Sequence, residues 1–238
     1  GERKFVDDIF LDGMLFAALK FSDHPKARVL GIDVSEAEKV KGVHRIFTAK
    51  DIPGSRKVGL ILQDWPVMID VGETTRYIGD VLAGVVADSD ATAQEAIALI
   101  KVEYELLKPV TGPFEALKGD RVHPECPNNF ETTTFQSGNF ETAIQKSKYT
   151  SAGSYQTQRI EHAFMEKEAA VAVPESDDGI RLFSQSQGIY EDRRQVAMIL
   201  GLPEEKVRVT LVPNGGGFGG KEDLSIQSHT ALFAWLLK

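Results

Sequence analysis

Residues 215–220 read Gly-Gly-Gly-Phe-Gly-Gly, five glycines in six positions, with Lys221 and Glu222 directly after them. A backbone this bare can enter left-handed conformations and approach a ligand without Cβ obstruction. The apolar, β-branched run Val207–Val212 before it reads as a strand, and a helical pattern is expected from Asp223. Strand, bare loop and helix N-terminus in that order would offer free N–H groups and a favourable dipole to an anionic ligand.

Several readings compete for this loop. Gly215, Gly217 and Gly220 satisfy GxGxxG, a dinucleotide fingerprint that is weak by itself. Gly215, Gly220 and Lys221 satisfy GxxxxGK, the phosphate loop, but that motif needs Ser or Thr next to hold Mg²⁺. Position 222 is Glu, which would repel a triphosphate, so the phosphate-loop reading fails. A glycine-rich turn without a ligand is the plain alternative, at the cost of ordering many flexible residues.

The stretch Gly215–Glu222 closely resembles the cofactor loop of the xanthine dehydrogenase and aldehyde oxidase family of molybdenum hydroxylases. The likeness extends along the chain. Gln156–Glu168 resembles the family's strand pair carrying a His and a following Glu, and Leu182–Gln187 its strand ending in a glutamine that faces the metal. Met198–Pro203 resembles the helix and Leu-Gly-x-Pro turn that lead to the loop strand. Gly1–Asp8, Ile32–Pro53, Tyr77–Asp80 and Val102–Leu106 resemble the family's first domain.

The expected fold is α+β. An α/β hammerhead domain over 1–118 is followed by a connector over 119–137 and the first part of a mixed α/β molybdopterin-binding domain over 138–238. Strands are expected at Arg28–Val34, Val43–Thr48, Val81–Ala87 and Lys101–Tyr104, with a helix Ala91–Ile100 capped by Ser89 or Asp90. Gly138–Ser147 suggests a short helix. The alternating runs Tyr149–Arg159, Ala169–Val173 and Arg181–Ser186 suggest antiparallel sheet, and a helix Glu191–Leu200 should stop at Gly201 and Pro203.

What the resemblance implies is hydroxylation of an aldehyde carbon, or of a carbon next to nitrogen as in xanthine and related purines. The inserted oxygen comes from water, hydride passes to molybdenum, and electrons leave through [2Fe-2S] clusters to FAD on partner domains or subunits of an oligomer. Gly217, Phe218 and Gly219 are expected against the molybdopterin, with Phe218 packed over the metal ligands to exclude water. Gln187 would hydrogen-bond a metal oxygen from its amide without bringing charge. Glu222 would contact and orient a purine from a pocket, with Lys221 as a solvated neighbour; aldehyde-directed relatives often carry an apolar residue there. His162, Glu161, Glu166 and Glu168 lack the order of a metal-ligand motif, and the family holds its metal through pterin sulfurs, so no protein metal ligand is expected. An aldehyde or other N-heterocycle hydroxylase is the runner-up, and a nucleotide-binding or structural assembly module is the reading from another class.

Composition bounds these readings. Against 27 Lys and Arg stand 35 Asp and Glu, and the net charge of −8 argues against nucleic acid or an anionic membrane surface. No run approaches transmembrane length. One cysteine, Cys126, allows no internal disulfide and no iron–sulfur cluster held by this chain alone, which favours a cytoplasmic home. The Gly start, and a final apolar helix without a C-cap, suggest a piece of a longer protein. The family's general base and substrate arginine would lie beyond it, so the piece alone is expected to be inactive.

Overall fold

The computed structural model describes residues 2–238. Residues up to 107 together with 162–238 form one compact unit, and 108–161 form a second. In the first unit the chain runs through strands β1 (Phe16–Phe21), β2 (Ala27–Asp33) and β3 (Val43–Thr48). Strand β4 (Val81–Ala87), helix α1 (Asp90–Leu99) and strand β5 (Lys101–Leu106) follow. After residue 162 come β6 (Ala170–Pro174), β7 (Ile180–Ser184), helix α2 (Ile189–Leu200), β8 (Val207–Leu211) and helix α3 (Gln227–Leu237).

Strand β4 is the centre of the first sheet, antiparallel to β1 on one side and β3 on the other. Its sequence, Val-Leu-Ala-Gly-Val-Val-Ala, is buried at every position, as an unbroken apolar run requires of a strand covered on both faces. Helix α1 begins where the Ser89 side chain accepts the Thr92 N–H, and buries Ala93 and Ala96. Strands β2 and β5 pair separately, with an irregularity at Gly31.

The second main sheet has the order β8-β7-β6. Here β7 is antiparallel to β6 but parallel to β8, and α2 makes the crossover. The sheet is therefore mixed rather than wholly antiparallel. Alternation in β7 buries Ile180, Leu182 and Ser184. One core joins Ile180 and Leu182 to Val196 and Ile199 of α2, Leu232 and Phe233 of α3, and Phe47 and Met68 from the first half of the chain. The last carbonyls of α2 are orphan acceptors. Those of Ile199 and Met198 take the N–H groups of Gly54 (2.9 Å) and Ser55 (2.8 Å), while Gly201 closes the helix at φ 64°.

Two segments differ from their sequence readings, and one strand had none. Tyr149–Arg159 forms no strand, and Tyr149 and Tyr155 stand 81% and 93% exposed: the residues alternate, but no neighbouring strand hydrogen-bonds to them. Gln156–Glu168 forms no strand pair either; regular pairing begins at Ala170. Strand β1 had no expectation attached to it. In the second unit the short helices Pro113–Ala116 and Phe140–Lys146 are present, and 119–137 carries neither helix nor strand.

Phe233 of α3 stacks on Phe47 of β3, 4.7 Å between centroids, and lies over Gly84. A Cβ at Gly84 would fall inside the Phe233 ring's contact envelope. Gly84→Ala should therefore cost about 1–3 kcal/mol through overpacking. Phe233→Ala should cost about 3–5 kcal/mol through the cavity it leaves. Thermal midpoints of both variants check this; a Gly84→Ala protein as stable as the parent would mean that the ring has room to shift.

Candidate cofactor site

Because β7 and β8 are parallel, both end at the same sheet edge, where α/β sheets place their ligands. Leaving β7 are Gln185, Ser186 and Gln187; leaving β8 are Asn214 and the glycine loop. Val212 extends the pairing with its N–H on Ser184 O (3.0 Å), and the Asn214 amide then donates to Gln185 O. Gln187 lies three residues beyond the strand end at Ser184 rather than on the strand.

Gln187 and Lys221 bond reciprocally. The Gln187 N–H donates to Lys221 O (2.9 Å), while Gln187 Oε1 accepts the N–H groups of Gly219 (2.9 Å) and Lys221 (3.3 Å). Two backbone donors require an oxygen, which fixes the carboxamide orientation. Its Nε2 group is left turned the other way, with no hydrogen bond among the described residues. A Cβ at Gly217 would collide with this carboxamide, and one at Gly220 would lie 2.9 Å from His162 Cγ and 3.0 Å from the Phe164 ring. These glycines are present because other residues occupy the space.

The rest of the loop is similarly held. Gly216 N–H donates to Asn214 Oδ1 (2.8 Å), Gly220 N–H to Gly217 O (2.8 Å), and Gly215 N–H to Glu166 Oε2. Among the described residues, the N–H groups of Gly217 and Phe218 have no such partner. Phe218 takes a left-handed conformation, φ 55°, and is 74% exposed. A non-glycine residue there carries strain, and strain of this kind gathers at functional sites.

Other expectations at the site need correction. Helix α3 starts at Gln227, not Asp223, so the glycine loop does not open onto a helix N-terminus. A dipole's influence fades within the first turn, and it cannot serve the loop. Lys221 is not solvated: it is wholly buried, with Nζ on Glu166 O and Gln185 Oε1, both 2.7 Å, and 4.5 Å from the Phe164 ring centroid. Glu222 is exposed, so the buried carboxyl expected there is absent; its backbone runs beside Gly188 and thus beside Gln187. Half-buried Phe164, Glu166 and Glu168 alternate with exposed Ala163, Met165 and Lys167, although no strand forms. Among the described residues, no group of three or more His, Cys, Asp or Glu side chains could hold a metal ion.

Sequence reasoning missed the support beneath Gln187. Asp192, in the first turn of α2, is wholly buried and accepts hydrogen bonds from Ser184 (3.0 Å) and Ser186 (3.1 Å). Ser186 Oγ in turn accepts the Gly188 N–H (2.9 Å). The alternation in Ser184-Gln185-Ser186-Gln187, two hydroxyls against two amides, was the available signal. Burial pushes the Asp192 carboxyl up to about 6, the serine hydroxyls hold it partly down, and Glu168 raises it.

Two free backbone donors, one free amide donor and a glycine surface that admits close approach fit an anionic, oxygen-rich cofactor. In class, the fold is that of a molybdopterin-binding domain joined to an α/β hammerhead domain. Residues 122–238 match the family model of the molybdopterin cofactor-binding domain. Residues 1–108 match that of the aldehyde oxidase and xanthine dehydrogenase a/b hammerhead domain. The chain belongs to the aldehyde oxidase and xanthine dehydrogenase family of molybdenum hydroxylases. It is 38% identical to a probable xanthine dehydrogenase subunit of Bacillus subtilis (strain 168), over 98% of this chain and 31% of that protein. It is 33% identical to the nicotinate dehydrogenase large molybdopterin subunit of Eubacterium barkeri, over 100% of this chain and 56% of that one. Its fold matches the aldehyde oxidoreductase of Desulfovibrio gigas with a TM-score of 0.88 and 27% identity, covering 98% of this chain and 27% of that structure.

The Asp192 carboxyl gives a pH prediction. Its folded pKa is raised above the unfolded value, so its stabilising contribution is complete below about pH 4 and lost as pH rises through about 6. Near neutral pH the buried carboxylate then costs up to about 3 kcal/mol. Asp192→Asn should flatten the fall in thermal midpoint between pH 4 and 7 and leave the variant the more stable at pH 8. An unchanged slope would place the pH dependence elsewhere.

Proposed function

We propose that this chain is the cofactor-holding part of a molybdenum hydroxylase that oxidises xanthine or a related purine. The observation that carries the reading is Gln187, clamped through Oε1 so that its Nε2 donor is left free beside the loop. When bound, the molybdenum carried by molybdopterin would supply the two-electron redox chemistry by which a ring or carbonyl carbon gains oxygen from water. The residues here hold and orient. Gly217 and Phe218 donate backbone N–H groups to the cofactor's anionic and carbonyl oxygens, and Gly219 lets it approach closely. Gln187 donates a neutral hydrogen bond to an oxygen at the reacting centre. The exposed Phe218 ring covers the site against water, and Glu222, whose backbone runs beside Gly188, receives the polar edge of the purine.

The 38% identity to a probable xanthine dehydrogenase subunit supports the purine reading. The nicotinate dehydrogenase and aldehyde oxidoreductase likenesses support the second one, an N-heterocycle or aldehyde as substrate. The chain spans only 31% of the first of these relatives and 56% of the second. We therefore assign the FAD, the [2Fe-2S] clusters, the general base and the substrate arginine to further domains or subunits of an oligomeric enzyme. We divide the chain into a hammerhead domain over 1–118, a connector over 119–137 and a molybdopterin-binding part from 138, and place it in the cytoplasm. The family-model matches over 1–108 and 122–238 support two domains, the second match starting inside the proposed connector, and the single cysteine supports the location.

Glu222→Ala in the complete enzyme tests the substrate. Loss of a charge-assisted hydrogen bond should lower kcat/KM for xanthine about 10- to 100-fold, with a small aldehyde affected much less. Unchanged xanthine kinetics would remove Glu222 from the substrate site and favour the aldehyde reading. Residues 1–238 alone should show no purine hydroxylation, and turnover by that piece would overturn the assignment of the base to another segment.

A further inference from the structure

We propose that Lys221 is a positioning residue: with Glu166 and Gln185 it forms a buried clamp that fixes the free donors of the glycine loop and of Gln187. The inference rests on the molybdopterin reading of the loop. Lys221 is fully enclosed, a costly place for an ammonium unless it is neutralised and hydrogen-bonded. Both conditions are met. Two of its three N–H groups reach Glu166 O and Gln185 Oε1 at 2.7 Å. The Glu166 carboxylate lies 3.8 Å away, and the Phe164 ring closes the remaining side.

The clamp grips both ends of the loop. Glu166 Oε2, which faces Lys221 Nζ, also accepts the Gly215 N–H at the loop's start. Gln185 receives Lys221 on its side-chain oxygen and Asn214 on its backbone oxygen, while its own amide donates to Lys167 O. The Lys221 backbone is bound on both sides by Gln187, and its carbonyl lies 3.3 Å from Ser186 Oγ. Displacing the ammonium would therefore release the Gly215 anchor, the Gln187 carboxamide and the Gly219 N–H together. The donors that face the cofactor would lose their direction, although none of them touches Lys221 Nζ.

The test compares Lys221→Met, Glu166→Gln and the double variant with the parent in the complete holoenzyme. Readouts are pterin and molybdenum per chain, and amide hydrogen exchange over 214–221 against that in β7 and α2. Lys221→Met should exchange about tenfold faster in the loop while β7 and α2 keep their protection. It should carry about one fifth of the parent's pterin. Adding Glu166→Gln should recover part of both losses, because it neutralises the carboxylate left unpaired. Parental exchange and loading in Lys221→Met would overturn the clamp, as would protection lost uniformly through β7 and α2. If Lys221→Met does not accumulate, Glu166→Gln decides: loop-selective loosening supports the proposal and parental behaviour rejects it. A parent without molybdopterin would sink the cofactor reading, while the exchange comparison would still decide the clamp.

Discussion

The site depends on the parallel pairing of β8 with β7. A parallel pair delivers both following segments to one edge, whereas an antiparallel pair would send them to opposite ends of the sheet. Here the pairing runs from Val207 opposite Ile180 to Leu211 opposite Ser184, and Val212 continues it onto Ser184 O. That register sets Gln185–Gln187 alongside Asn214–Lys221. Alternation buries Ile180, Leu182 and Ser184 on one face, so a slip of one residue would turn Arg181 and Phe183 into the core. Burial on one face of β7 thus fixes which amide meets which glycine.

A parallel pair needs a crossover, and the first half of the chain holds the crossover helix in place. Gly54 and Ser55 occupy the terminal carbonyls of α2, and the Gln195 side chain accepts the Gly59 N–H at 2.8 Å. A Cβ at Gly54 would overlap Met198 O, so the close approach requires glycine. Asp192 lies on the same helix, one turn in, with its carboxyl under the serines that carry Gln187 forward. Helix α2 is therefore positioned at its C-terminal end by the segment 54–59 and positions the site from its N-terminal end. The core that contains Phe47, Met68, Ile180 and Ile199 makes these two ends one packed body.

Much of this was legible in the sequence wherever a local signal sufficed. The buried run Val81–Ala87, the Ser89 cap, the Gly201 stop and the strand leading to the glycine loop each carry their cause within a few residues. Features set by distant residues were not legible. Tyr149–Arg159 has the alternation of a strand, but period two is only half of the requirement; a ladder partner is the other half. Lys221, between Gly220 and Glu222, looks like a surface charge, and its burial is set by Glu166 and Gln185, 55 and 36 residues earlier. The late start of α3 has a local cause that periodicity does not register. Gln227 Oε1 accepts the Ser225 N–H at 2.9 Å, which stabilises a turn just ahead of the helix.

The glycine loop also departs from the simple picture of a bare backbone with every donor free. Of the N–H groups from Gly215 to Lys221, five are spent inside the protein: on Glu166, Asn214, Gly217 and, twice, Gln187. A loop with all seven free would be left to choose among many conformations, and ordering it would count against ligand affinity. The internal bonds do that ordering during folding. Among the described residues they leave Gly217 and Phe218 to donate, at the point where Phe218 takes its left-handed conformation. The glycines at 217 and 220 are thus required by what packs against them, the Gln187 carboxamide and the His162 and Phe164 rings. Small residues here make the loop rigid, by letting its neighbours come close enough to hold it.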